Sequence, residues 1–208
     1  MAATGLIDVH ADYFHGQVRM TWRFPLNAPE TVHIYGVKQS GAELELDPRL
    51  RITKDLRECS SGISFDYNVV SNVDVRRVTF CVFLAERNYN SPNIRALQSI
   101  GGCFASVIIG HGNVFYDIKS KDCGGGFVSF QIIIKSTSTF DAGILGYTYN
   151  FNGKDITIEL PGRIDNGTTS YPPIYLMRDS SPPSVCLTDG SNADVTIMQR
   201  KISTFRRL

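Results

Sequence analysis

From Gln17 to Phe24 the chain alternates strictly, with apolar Val18, Met20, Trp22 and Phe24 set between polar Gln17, Arg19, Thr21 and Arg23. Successive residues of an extended chain point to opposite faces, so this period of two collects the apolar side chains on one side and the polar ones on the other. A half-buried antiparallel strand reads that way. The same rhythm returns in Val75–Leu84, where Val78, Phe80, Val82 and Leu84 share a face. It returns again in Phe127–Lys135, with Val128, Phe130, Ile132 and Ile134 on one face, and in Lys154–Leu160, with Ile156, Ile158 and Leu160 inward. The pattern predicts an all-β chain.

Between these runs lie shorter ones: Thr31–Val37, Glu43–Leu46, Leu50–Thr53 and Ile63–Tyr67 in the first half, each bounded by turn residues. Pro25 and Pro29 keep the loop after the first run out of any ladder. Short strands at such spacing suggest an immunoglobulin-class sandwich. The order Val18-x-Met20-x-Trp22-x-Phe24-Pro25, a short Pro-containing loop and then Val32-His33-Ile34-Tyr35 resembles the B and C strands of a fibronectin type III domain. In that family Trp22 would match the core tryptophan of strand B, and Tyr67 is the candidate for the tyrosine corner. The resemblance spans residues 5–87, and the later strands depart from the family's pattern. It implies a β-sandwich and, by itself, no function.

Arg87–Asn93 is polar, Asn-rich and holds Ser91-Pro92, so residues 88–103 read as a linker with a short helix at Ile94–Ser99. Residues 104–200 then supply a second set of strands: 104–110, 113–119, 127–135, 145–151, 154–160, 174–177, 184–187 and 193–198. Asn152-Gly153 between two alternating runs predicts a tight hairpin. The expectation is two tandem antiparallel β-sandwich domains, with one large jelly-roll-like sandwich as the alternative. Residues 201–208 form a basic tail through Arg206 and Arg207.

At 208 residues and 42% hydrophobic composition the chain can fill one or two real cores. Its formal net charge of +1 gives no long-range field toward nucleic acid or an anionic membrane, so such a role would need a local patch. The first residues have no charged n-region and no apolar run, and no stretch approaches the roughly 20 residues of a membrane helix. The expected location is cytoplasmic as written, or extracellular if a leader was removed. Five cysteines, Cys59, Cys81, Cys103, Cys123 and Cys186, are odd in number and show no C-x-x-C spacing, against a zinc ribbon or a fully paired disulfide framework.

Several clusters invite a chemical reading. Asp8, His10 and Asp12, with His15 nearby, would share one face of an extended segment, but neighbours on one strand rarely converge on a metal. Cys123, ahead of Gly124-Gly125-Gly126, and His111 are the least implausible nucleophile and base. No third partner is identifiable, and the glycines read as a loop needing positive φ. Asp189, Asn192 and Asp194 offer oxygen ligands suited to calcium, although Ala193 breaks the EF-hand template and a polar turn explains the composition equally. Tyr147, Tyr149 and Phe151 would form an aromatic row, with Tyr171 and Tyr175 near in sequence. If exposed, the row is a sugar-stacking platform; if buried, it is core.

These readings rank a non-enzymatic interaction or structural module first, bound to a protein partner or to itself and needing no cofactor. A carbohydrate-binding module using the aromatic row comes second, and an enzyme with a Cys/His centre third.

Overall fold

The computed structural model describes residues 3–26, 29–40, 43–67, 74–89, 93–188, 192 and 194–204. Among the described residues it is an all-β chain with one short helix. The strands of the first half are β1 (Ile7–Phe14), β2 (Gln17–Arg23), β3 (Thr31–Ser40), β4 (Glu43–Asp55), β5 (Gly62–Asp66) and β6 (Asp74–Ala85), followed by α1 (Ile94–Gln98) and β7 (Phe104–Ile109). Next come β8 (Gly112–Gly124), β9 (Phe127–Ser136), β10 (Thr139–Phe140), β11 (Leu145–Phe151) and β12 (Lys154–Glu159). The last are β13 (Gly167–Ser170), β14 (Ile174–Met177), β15 (Ser184–Leu187) and β16 (Val195–Thr204).

The chain divides into two compact units, Met1–Asn68 with Arg77–Val107, and Val69–Arg76 with Ile108–Leu208. This division differs from boundaries at 5–87 and 104–200, because residues 69–76 group with the second unit and the expected linker, where described, with the first. Two pairings also depart from a purely antiparallel plan: β16 runs parallel to β8, and β10 runs parallel to β6. Parallel neighbours need long connections, and the intervening strands supply them.

In the first unit, β1, β2 and β5 form a three-stranded sheet. Val18, Met20 and Trp22 are buried on its inner face, as the alternation predicts, while Phe24 lies just past β2 and is half-buried. The neighbouring sheet places β6 between β3 and β7, with β4 outside β3. Phe80 on β6 meets the ring of Phe65 from β5 edge-on at 5.7 Å. The opposite face of β6 carries Cys81, Phe83 and Ala85, which pack with Tyr35, Leu97 and Cys103. Covered on both sides, Phe80–Ala85 is a continuous buried run, which a central strand requires. The helix is short but capped: the Asn93 side chain accepts from the backbone N–H groups of Arg95 and Ala96 at 3.0 and 3.3 Å.

His33 sits in this second layer with no exposed surface, its ring stacked on Phe83 at 5.3 Å and its Nε2–H donating to the Glu86 carbonyl at 3.1 Å. Burial lowers its pKa from the ordinary 6.5; the Glu86 bond opposes the shift and Arg51 adds to it. The unfolded chain therefore binds a proton near pH 6.5 that the folded protein refuses. Stability from this group is complete above that pH and is lost as pH falls through 6.5 toward the lower folded value. Urea midpoints are expected to fall between about pH 7.5 and about pH 5, and less steeply in His33→Gln. Equal slopes in the two proteins would show that His33 is not the group responsible.

In the second unit, β13, β9, β8 and β16 lie side by side with β14 also on β9, facing a sheet of β12, β11 and β15. Val114, Tyr116 and Ile118 of β8 and Phe130, Ile132 and Ile134 of β9 turn inward against Leu145, Tyr147 and Val185. The Asn152-Gly153 turn has φ of 52° and 77°, the doubly left-handed pair of a type I′ hairpin. The inward assignment of Ile158 is corrected: it is 40% exposed, because β12 is an edge strand and lies at the rim of the core.

Candidate functional site

All but one of the sequence-predicted site residues can be placed in the fold. Tyr147 and Tyr171 are buried in the second core, and Tyr149 packs partly buried against it, its ring stacked with Tyr147 at 6.4 Å. Phe151 is half-buried. Burial, together with neighbouring Tyr149, raises the pKa of the Tyr147 phenol; burial alone raises that of Tyr171. Of the two readings of the aromatic row, the burial of Tyr147 and the packing of Tyr149 match core, since the inner face of β11 closes the second unit's core. Tyr175 alone among the five is exposed, at 64%.

The calcium reading also changes. Asp189 lies outside the described residues. Asn192 is buried, its side-chain N–H donating to the Gly110 carbonyl at 2.8 Å and its Oδ1 accepting from the Asp194 N–H at 2.8 Å. The carboxamide thus latches the turn before β16. Among the described residues no group of three or more His, Cys, Asp or Glu could hold a metal. In β1 a bulge between Ile7 and His10 breaks the shared face, and Asp8 pairs with Arg23 instead.

His111 and Cys123 flank or occupy opposite ends of β8, so about 12 steps of roughly 3.3 Å put them about 40 Å apart. Direct or one-water proton transfer is impossible at that range, which removes this pair as a catalytic centre. The following glycines have φ of 72°, 60° and 82°, and so serve the β8–β9 turn. Cys81 and Cys103 are buried thiols pushed up to about 12 and about 11, with burial as the first cause in both; they are core side chains.

What the fold does assemble is the outward face of the five-stranded sheet in the second unit. Phe127 on β9 stands directly opposite Met177 on β14, and Tyr175 opposite Ser129 one row on. Phe127 and Met177 are 43% and 49% exposed, so with Tyr175 they make one apolar corner open to solvent. Along β8 and β9, the same face carries Lys119, Lys121 and Lys135, none of which pairs with a described acidic side chain. Arg200 lies over the Phe115 ring at 4.5 Å. Asp117 is the acidic residue among the described side chains of this face, so the face is basic around its apolar corner.

Parity along 127–135 places Phe127 with Ser129, Gln131 and Lys135, so part of this face was readable. The contribution of β14 was not, because its pairing with β9 joins segments more than forty residues apart.

No protein-family model matches this sequence, and no curated protein matches it either. Among solved structures, similar chains include the FN1–FN3 domains of chicken CNTN1, at 10% identity and a TM-score of 0.28, covering 90% of this chain and 66% of that one. The chicken interferon gamma receptor alpha chain is another, at 10% identity and a TM-score of 0.27, covering 90% of this chain and 99% of that one. Among the described residues, no helix is long and apolar enough to cross a membrane.

Proposed function

We propose that this chain is a non-enzymatic interaction module that holds a protein partner against the outward face of the five-stranded sheet in its second unit. The observation that carries this reading is the contiguous exposure of Phe127, Tyr175 and Met177 beside lysines that pair with no described acidic side chain. Apolar and aromatic anchors ringed by polar groups are the usual anatomy of a binding surface, and aromatic, Met and Arg residues are enriched there. Lys119, Lys121 and Lys135 select an acidic partner segment by charge complementarity, chiefly through the rate of encounter. The sheet's far face is core, so a partner can lie on this one without disturbing the fold.

A fluorescein-labelled peptide alternating Leu and Glu, followed by fluorescence anisotropy, tests the reading. Saturable binding is expected that weakens with salt and falls by about tenfold or more in the Tyr175→Ser/Met177→Ser double variant. Absence of binding, or binding indifferent to that double substitution, would overturn it. Both substituted side chains are exposed, so the variant keeps the fold, and an unchanged far-UV spectrum verifies this.

A further inference from the structure

The outer face of the three-stranded sheet in the first unit holds a groove of about 560 Å³, lined among others by Asp12, Phe14, Arg19, Thr21, Ser61 and Ser64. Its shape follows from the register. Across β1, β2 and β5 the outward rows read Phe14, Gln17, Asp66; then Asp12, Arg19, Ser64; then His10, Thr21, Gly62. The β1 and β2 sides of these rows carry long side chains, whereas β5 presents Ser64 and Gly62, so the surface dips along β5. Gly62 has φ of 149°, and a Cβ there would run into the Met20 carbonyl, so this part of the floor has no side chain. The volume falls within the roughly 300–1,000 Å³ of small-molecule sites.

The lining has an unusual balance. Asp12 and Arg19 are direct cross-strand neighbours, yet neither forms an ion pair or hydrogen bond with a described residue. The hydroxyls of Thr21, Ser61 and Ser64 are likewise uncommitted. A carboxylate only accepts, a guanidinium only donates, and a hydroxyl does both. The two formal charges cancel, so the groove favours neither anion nor cation. Beside them the Phe14 ring is 55% exposed and forms an apolar wall. A ligand matching all of this needs many groups that each donate and accept, no net charge, and an apolar face.

We propose that this groove binds a neutral saccharide. Its hydroxyls donate to Asp12 and accept from Arg19, the serine and threonine hydroxyls bridge the remainder, and the C–H face of the ring packs on Phe14. The site is distinct from the partner-binding face of the second unit and stands or falls separately.

The test is a ¹H–¹⁵N NMR titration of the full chain with the methyl glycosides of glucose, galactose and mannose, each in turn, with glycerol and sodium sulfate as controls. The expected result is saturable shifts at residues 12–21 and 61–64 with at least one glycoside, with Kd on the order of 1 mM. Arg19→Met and Phe14→Ala should each weaken that binding by about tenfold while leaving resonances elsewhere in place. Four results would overturn the proposal: no shifts with any of the three glycosides, shifts centred elsewhere, indifference to both substitutions, or equal displacement of the same resonances by glycerol or by sulfate.

Discussion

Gly102→Ala is expected to cost the first unit at least about 4 kcal/mol, toward the rare end of single substitutions. Gly102 has φ of 74°, and a Cβ at this position would overlap the carbonyl of Leu6. The obstacle is backbone, so no rotamer change can relieve it. The shift needed to make room breaks the Leu6 N–H bond to the Gly102 carbonyl, at 3.2 Å, and disturbs the neighbouring bond from Val82 N–H to the Cys103 carbonyl, at 2.6 Å. Gly101→Ala is the matched control: nothing lies within 4 Å of its Cβ position. A substitution there should stay within about 0.5 kcal/mol of the parent. The sole tryptophan, Trp22, is buried in this unit, so its fluorescence during urea titration reads both variants. Similar midpoints for Gly101→Ala and Gly102→Ala would show that the backbone here can yield.

Phe140→Ala is expected to cost about 3–5 kcal/mol in the second unit. Phe140 has no exposed surface and lies at the heart of that unit's core. Its backbone exchanges bonds with Ile164 at 2.8 and 2.9 Å, and these survive loss of the ring. The substitution therefore isolates packing: lost apolar burial plus the cavity left by neighbours that relax only in part. Against a total stability of about 5–15 kcal/mol for a typical domain, such a loss removes a large fraction. A lowered urea midpoint by far-UV circular dichroism, with slope unchanged, is the expected outcome; a loss below about 1 kcal/mol would mean the site collapses around the vacancy.

Local patterns read out well in this chain because the period of two is set by backbone geometry alone. Val18, Met20 and Trp22 point inward, α1 begins at Ile94, and the Asn152-Gly153 hairpin forms where its residues demand it. Glu43–Leu46 and Leu50–Thr53, with Pro48 between them, read as separate strands. They belong to one strand, β4, whose position at the sheet edge tolerates a proline. Alternation says which residues share a face but not what covers that face. Tyr147 and Tyr149 share one, as read, and it is the packed one, whereas Ile158 belongs to an apolar run whose strand lies at a rim. The partner-binding face and the groove both depend on cross-strand neighbours far apart in sequence, Phe127 with Met177 and Arg19 with Ser64. No local pattern reports such pairings.

One buried side chain ties the order of synthesis to the order of folding. Val75, at the start of β6, lies in the second unit's core, whose other buried members all come from Ile108 onward. It also supplies the backbone along which Phe140 pairs. As the chain leaves the ribosome, this valine emerges first and must wait, uncovered, until residues as late as Val185 arrive to enclose it. A gene fragment ending at 107 would display that valine permanently, and one starting at 108 would fold around a hole. Neither half can be made alone with its core intact; a pair split between 107 and 108 would have to be coexpressed, so that Val75 on the first piece can enter the core built by the second.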